Sequence, residues 1–272
     1  MCLSAEAAQI CWYLGIWDQV VGVSAFAPAY QPSKPVCYGF SVGRLNRVLE
    51  LKPDLVLTFS DVQAVAAHEL IQAGVPVWAW NNDRLAGVER AIRDLGALTG
   101  VSTKAEEVVQ RFWTGLEAVS VPADQPRPRI YFEEWPDPPI AGINWTGEII
   151  QLAGGDPLFW PSDPKASNRV VTDGQIAQLD PDIVLVSWCG RRFDRAKFVG
   201  RPGLSALRAV RTSDLHEIEG TGILQAGPEL VRGAERIRRI IAGWRKTHPT
   251  SRGAVAHSQP PAKRRGSIDP PR

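Results

Sequence analysis

Five aromatic residues, each beside a hydrogen-bonding side chain, sit where short β-branched runs end. The run 20–23 leads to Phe26, 55–58 to Phe59, Ser60 and Asp61, and 75–79 to Trp80, Asn81 and Asn82. The run 129–133 leads to Glu134 and Trp135, and 183–186 to Ser187, Trp188 and Cys189. In open parallel sheets, ligands lie beyond the carboxyl ends of the strands. Broad ring faces with a few orienting polar groups suit a flat, partly apolar ligand. The alternative is that some of the rings close the ends of a core.

Catalytic chemistry has weaker support. Cys189 is the one candidate nucleophile, and it has no histidine near it in sequence; a lone cysteine after a buried strand is usually a small hydrophobe. Glu133 and Glu134 adjoin a strand end, where acid–base work is conceivable. Consecutive strand residues point to opposite faces, however, so the two do not easily share a site. Only His68 and His216 fall in segments expected to be ordered, which excludes a three-histidine metal centre. No glycine-rich phosphate loop is present. The reading is non-enzymatic, with no cofactor and no protein-held metal.

The elements that must position these residues alternate. Helices are expected over 5–14, 45–51, 62–73, 85–99, 146–153 and 228–244, interleaved with the runs above and a last strand near 215–218. Such alternation implies parallel, doubly wound sheets. One unit occurs twice: Leu49-Glu-Leu-Lys-Pro-Asp-Leu-Val-Leu57 and Leu179-Asp-Pro-Asp-Ile-Val-Leu185. In each a short helix stops before Pro-Asp, because proline disfavours helical geometry in the residue before it. A buried strand follows. Between the two halves, Thr103-Lys-Ala-Glu106 reads as a capping box, and Ala105, Val108, Val109, Phe112, Leu116 and Val119 follow at helical spacing. The expected architecture is α/β: two doubly wound lobes joined by a single long spine helix. The lobes span 1–101 and 121–248, the spine 102–120, and a disordered basic, proline-rich tail 249–272.

Composition narrows the partners. The tail carries Arg252, Lys263, Arg264, Arg265 and Arg272 against Asp269, so the small positive net charge conceals a net acidic body. No basic face remains for nucleic acid. Ten tryptophans against one methionine suggest additional core anchors or a stacking surface. Four cysteines show no Cys-x-x-Cys spacing. No apolar run is long enough to span a bilayer. The first residues lack a basic region followed by an apolar stretch, so the chain as written is expected to be cytoplasmic. A monomer is expected.

The wording of several segments resembles the substrate-binding proteins of ABC importers for cobalamin and ferric siderophores. These are Trp17-Asp-Gln-Val-Val-Gly-Val23, the first Pro-Asp unit, Glu148 with Ala153-Gly-Gly155, and Pro181-Asp-Ile-Val184. A cobalamin-binding-like subgroup is matched by Phe59-Ser-Asp-Val-Gln63, Tyr131-Phe-Glu-Glu-Trp135, Ser187-Trp-Cys-Gly190 and Ile223-Leu-Gln-Ala-Gly-Pro228. The resemblance covers residues 1–244. It implies a spine-helix bilobal fold, a metal-chelate ligand (cobalamin or another corrinoid, alternatively a ferric siderophore), an ABC permease partner and a periplasmic or cell-envelope location. A cytosolic corrinoid-processing enzyme using Glu134 and Cys189 is the alternative from another class.

Carried over, the corrin-contacting aromatics of the first lobe fall on Phe26 and Phe40. Those of the second fall on Ile140 and Asn168, with Trp145 and Trp188 as substitutes. The side-chain contacts near the last helix fall on Thr221 and Gln225, and the docking glutamates on Asn46 and Gly174, neither acidic. The family's opening strand is reduced to Met1-Cys-Leu3.

Overall fold

The computed structural model describes residues 1–39, 45–122 and 124–248. Phe40 and the 249–272 tail therefore lie outside the described residues. Residues 1–3 form the centre of the first sheet: Cys2 N–H donates to the Gly22 carbonyl (3.0 Å), Leu3 N–H to that of Leu57 (2.9 Å), and Leu57 N–H to that of Met1 (2.9 Å). Helix α1 (Ala5–Tyr13) follows at once, with the Ser4 hydroxyl accepting from Ala7 N–H at 3.3 Å. Next come β1 (Val23–Ser24), β2 (Val36–Tyr38), α2 (Leu45–Glu50), β3 (Val56–Phe59), α3 (Ala64–Gln72), β4 (Val77–Trp80) and α4 (Leu85–Leu98). The strands run parallel in the order β2, β1, residues 1–3, β3, β4. The first strand lies later than the expected 20–23, because a 3₁₀ turn at Trp17–Gln19 still holds Val20 N–H.

Helix α5 (Ser102–Ala118) crosses to the second half and buries Ala105, Val108, Val109, Phe112 and Leu116 along one stripe. It has no capping box. Val101 is the N-cap and makes no side-chain cap bond, while Glu106 pairs with Arg93 of α4 at 2.8 Å. Tertiary contact with α4 thus claims the carboxylate that local geometry would have turned back on the backbone.

The second half contains β5 (Arg129–Pro136), β6 (Pro139–Ala141), α6 (Asn144–Leu152), β7 (Asp156–Pro157), α7 (Asp173–Leu179) and β8 (Ile183–Val186). It continues through α8 (Arg195–Val199), α9 (Arg208–Arg211), β9 (Leu215–Glu217) and α10 (Leu230–Thr247). Its sheet order is β6-β5-β8-β9, with β7 also on β5; β6 is the one antiparallel strand. A reciprocal capping box does form here, between Thr172 and Gln175 at the start of α7.

The molecule is thus two α/β lobes joined by a long helix. Among the described residues, three cores hold it together. One buries the outer face of the first sheet (Met1, Leu3, Val56, Leu70), and another that of the second (Tyr131, Val184, Val186, Phe198). The largest is shared between the lobes: Ile10, Ile92, Phe112, Ile149, Ile183 and Ile237 belong to one continuous cluster. The lobes are therefore packed against each other through α1, α4, α5, α6 and α10, a broader union than a lone connector. Backbone and side-chain bonds reinforce it: Trp145 N–H reaches the Asp83 carbonyl (2.9 Å), and Glu148 accepts from Leu85 N–H (2.8 Å).

Candidate functional site

A cavity of about 440 Å³ lies where the two sheets' carboxyl ends meet. The first lobe contributes Leu3, Ser4, Ala5 and Glu6 from the strand-to-α1 turn, Ser24 and Phe26 after β1, Gly39 after β2, and Phe59 at the end of β3. The second contributes residues 187–192 after β8 and, after β9, Ile218, Thr221, Leu224 and Gln225 with Glu217 and Glu219.

Phe26 bridges the lobes. It is 39% exposed, its ring lies beside Gly190, and its carbonyl accepts from Gln225 Nε2 at 3.4 Å. Gly190 has φ of +67°, a conformation that favours glycine, and a Cβ there would stand 3.3 Å from the Phe26 ring, which would have to give by a few tenths of an ångström. Phe59 is aimed by the turn after β3: Gln63 accepts from Phe59 N–H (3.1 Å) and donates to the Leu3 carbonyl (2.8 Å). The Phe59-Ser-Asp-Val-Gln63 motif is therefore a clamp. Ser60 caps its short 3₁₀ turn and Asp61 is exposed, and neither lines the cavity.

Trp188 touches the cavity but is 6% exposed. It also belongs to the second lobe's outer core, so it reaches the cavity with one edge while most of the ring is packed. Its indole N–H donates to Glu133 Oε1 at 3.0 Å. Glu133 is fully buried and also accepts from Tyr131 (2.9 Å) and from Arg201, 2.8 Å to each oxygen. Burial pushes its carboxyl upward, against the pull of Arg201 and these donors.

Three other aromatics expected at the cleft lie elsewhere. Trp80 is buried under α4, with Nε1 3.2 Å from Asp94 Oδ2. Trp135 rides an extension of β5 into the β6 hairpin, where its N–H meets the Asp137 carbonyl and the Arg191 guanidinium lies 4.6 Å from its ring. The strand does not stop at Glu133, so the ring is carried past the cavity. Trp145 begins α6 at the lobe junction, with its indole N–H on the Ile223 carbonyl (2.8 Å). Glu134, on the opposite side of β5 from Glu133, pairs with Arg169 at 2.5 Å and is not a lining residue. Ile140 and Asn168 do not line the cavity, whereas Thr221 and Gln225 do.

Glu6 was not singled out in the sequence. It lines the cavity at 9% exposure, and burial raises its carboxyl to about 7, opposed by its own N–H and the Ser4 hydroxyl. The signal that could have found it is the remnant Met1-Cys-Leu3: read as a full strand, its carboxyl end is Ser4-Ala-Glu6. Cys189 lines the same space, and burial followed by the charges of Glu134 and Glu6 pushes its thiol up to about 11. A thiol so raised is protonated at neutral pH and a poor nucleophile.

The model of the periplasmic binding protein family matches residues 1–220. The chain belongs to this family. Among its relatives, a cobalamin-binding protein of Halobacterium salinarum is 29% identical over 248 residues, covering 86% of this chain and 67% of the relative. Two solved structures share the fold. The periplasmic vitamin B12-binding protein of Vibrio cholerae aligns with a TM-score of 0.71 at 19% identity, over 90% of this chain and 96% of that one. A periplasmic heme-binding protein from Pseudomonas aeruginosa gives 0.74 at 21%, over 92% of each.

Proposed function

We propose that this periplasmic binding protein holds a metal chelate of the corrinoid type, cobalamin first, between its lobes without altering it chemically. The observation that carries the reading is Phe26: an exposed ring from one lobe closing on the Gly190 backbone of the other, over a cavity floored by Phe59. Such a ring offers a broad apolar face to a flat ligand in the cavity. The cavity, about 440 Å³, would take the part of so large a ligand that enters between the lobes. The relative that binds cobalamin supports the ligand class. A second reading, an anionic chelate such as a ferric siderophore or haem, has support in Arg191 and Arg192 on the cavity wall.

Cyanocobalamin should quench tryptophan fluorescence at micromolar concentration, about 8 kcal/mol of binding free energy. Phe26→Ala should weaken this by at least ~2 kcal/mol, about thirtyfold, as loss of a central aromatic anchor does. No quenching by the unmodified chain, or unchanged affinity in Phe26→Ala, counts against the reading.

The family partner is an ABC permease, and the proposed docking positions are Asn46 and Gly174, both exposed and neither charged. Asp173 beside the second is taken up by Arg201, 2.7 Å away. Association with a cobalamin-type permease should accordingly be weak. Gly174 has open space for a side chain, so Asn46→Glu with Gly174→Glu should raise the on-rate several-fold at low salt and less at high salt. Surface-immobilised permease would report this directly; tight binding by the unmodified chain, lost in Glu50→Ala, would place docking on Glu50 instead.

A further inference from the structure

We infer that Glu6 is the residue that sets ligand specificity: its carboxylate admits a chelate rimmed by neutral amide N–H donors and rejects one rimmed by carboxylates. The inference rests on the reading of the cavity as a metal-chelate site. Glu6 stands in the first turn of α1, nine-tenths buried, on the cavity wall. Among the described residues no lysine or arginine forms an ion pair with it, and its polar contacts are its own N–H and the Ser4 hydroxyl. A buried carboxylate without a cation is costly and normally acquires a partner. Here the open side of the group is the ligand space.

The other charged groups facing the cavity are already engaged or come from the opposite lobe. Glu217 accepts from Phe193 N–H (3.2 Å), and Glu219 accepts from the Thr221 hydroxyl (2.8 Å) and lies 3.4 Å from Arg232. Arg191 stacks on Trp135, Arg192 lies on the same loop, and the Cys189 thiol is protonated. From the first lobe, Glu6 is the one ionisable side chain on this wall among the described residues.

The two ligand chemistries bring opposite responses to pH. Burial holds the free carboxyl near 7, so it changes charge around neutrality. An amide-rimmed ligand donates N–H to the ionised form, which expels the proton; affinity then rises with pH. A carboxylate-rimmed ligand meets like charge once Glu6 ionises, so its affinity falls with pH. If only one form binds, a group titrating near 7 gives on the order of tenfold between pH 6 and pH 8.

The test titrates the full chain with cyanocobalamin, whose rim carries amides, and with haemin, whose rim carries two carboxylates, at pH 6 and 8. Cyanocobalamin should bind roughly tenfold more tightly at pH 8. Glu6→Gln should flatten that dependence to within about twofold and tighten haemin at pH 8 by about tenfold. Thermal melts of the isosteric variant check that it is folded. Should the unmodified chain bind cyanocobalamin while Glu6→Gln keeps the same pH dependence and the same preference over haemin, the inference is overturned and the ligand reading stands. Binding of neither probe by the unmodified chain overturns both.

Discussion

Replacing Arg201 by Met should cost about 3–5 kcal/mol of stability, because it leaves a fully buried carboxylate without its counter-charge. Arg201 spans two acids: 2.8 Å to both oxygens of Glu133 and 2.7 Å to Asp173. Glu133 in turn receives the Trp188 and Tyr131 hydrogens, so the variant disturbs four side chains across the outer core of the second lobe. Removing the opposing charge as well should recover much of the loss, since breaking a buried pair is worse than deleting it. Urea denaturation of Arg201→Met and of Glu133→Gln with Arg201→Met measures both quantities. A single-variant cost below 1 kcal/mol would mean that water or another cation satisfies Glu133.

Trp145→Ala is expected to be comparably severe, about 3–5 kcal/mol, for a different reason. The ring fills the junction between the lobes at 7% exposure and belongs to the shared core. Its loss leaves a cavity and strands the Ile223 carbonyl, to which the indole donates. The backbone N–H of Trp145 holds Asp83 of the first lobe, and that bond survives the substitution. Cyanocobalamin affinity of the folded fraction should change by no more than a few-fold, because the ring does not line the cavity. An affinity loss as large as that of Phe26→Ala would return Trp145 to the ligand site.

Local patterning carried much of this protein. The Pro-Asp breaks located β3 and β8, the stripe from Ala105 to Leu116 located α5, and apolar runs located β4, β5 and β9, because burial and chain geometry act there over a few residues; β2 and β7 were not expected, and β1 lies later than its run. Phe26, Phe59, Trp188 and Cys189 were expected at the strand ends and do reach the cavity wall. Where a side chain goes after its strand ends was not legible. Trp80 and Asp94 meet only because α4 folds back over β4, and Trp135 leaves the cavity only because β5 continues into a hairpin. Glu106 abandons its own helix start because α4 brings Arg93 alongside.

The sequence by itself determined the α/β class, the helix between the halves and the strand ends from which a site would be built. Periodicity and proline sterics are local and survive without the rest of the chain. Only the tertiary structure decided that the lobes share one core, which aromatics line the cavity and which anchor the junction, and that among the described residues Glu6 stands on the cavity wall without a cation. Those outcomes depend on partners far apart in sequence, such as Gln9 with Gln225 (2.5 Å) and Tyr13 with Glu229 (2.6 Å). A hydrogen bond or a buried charge is settled by what packs against it in three dimensions.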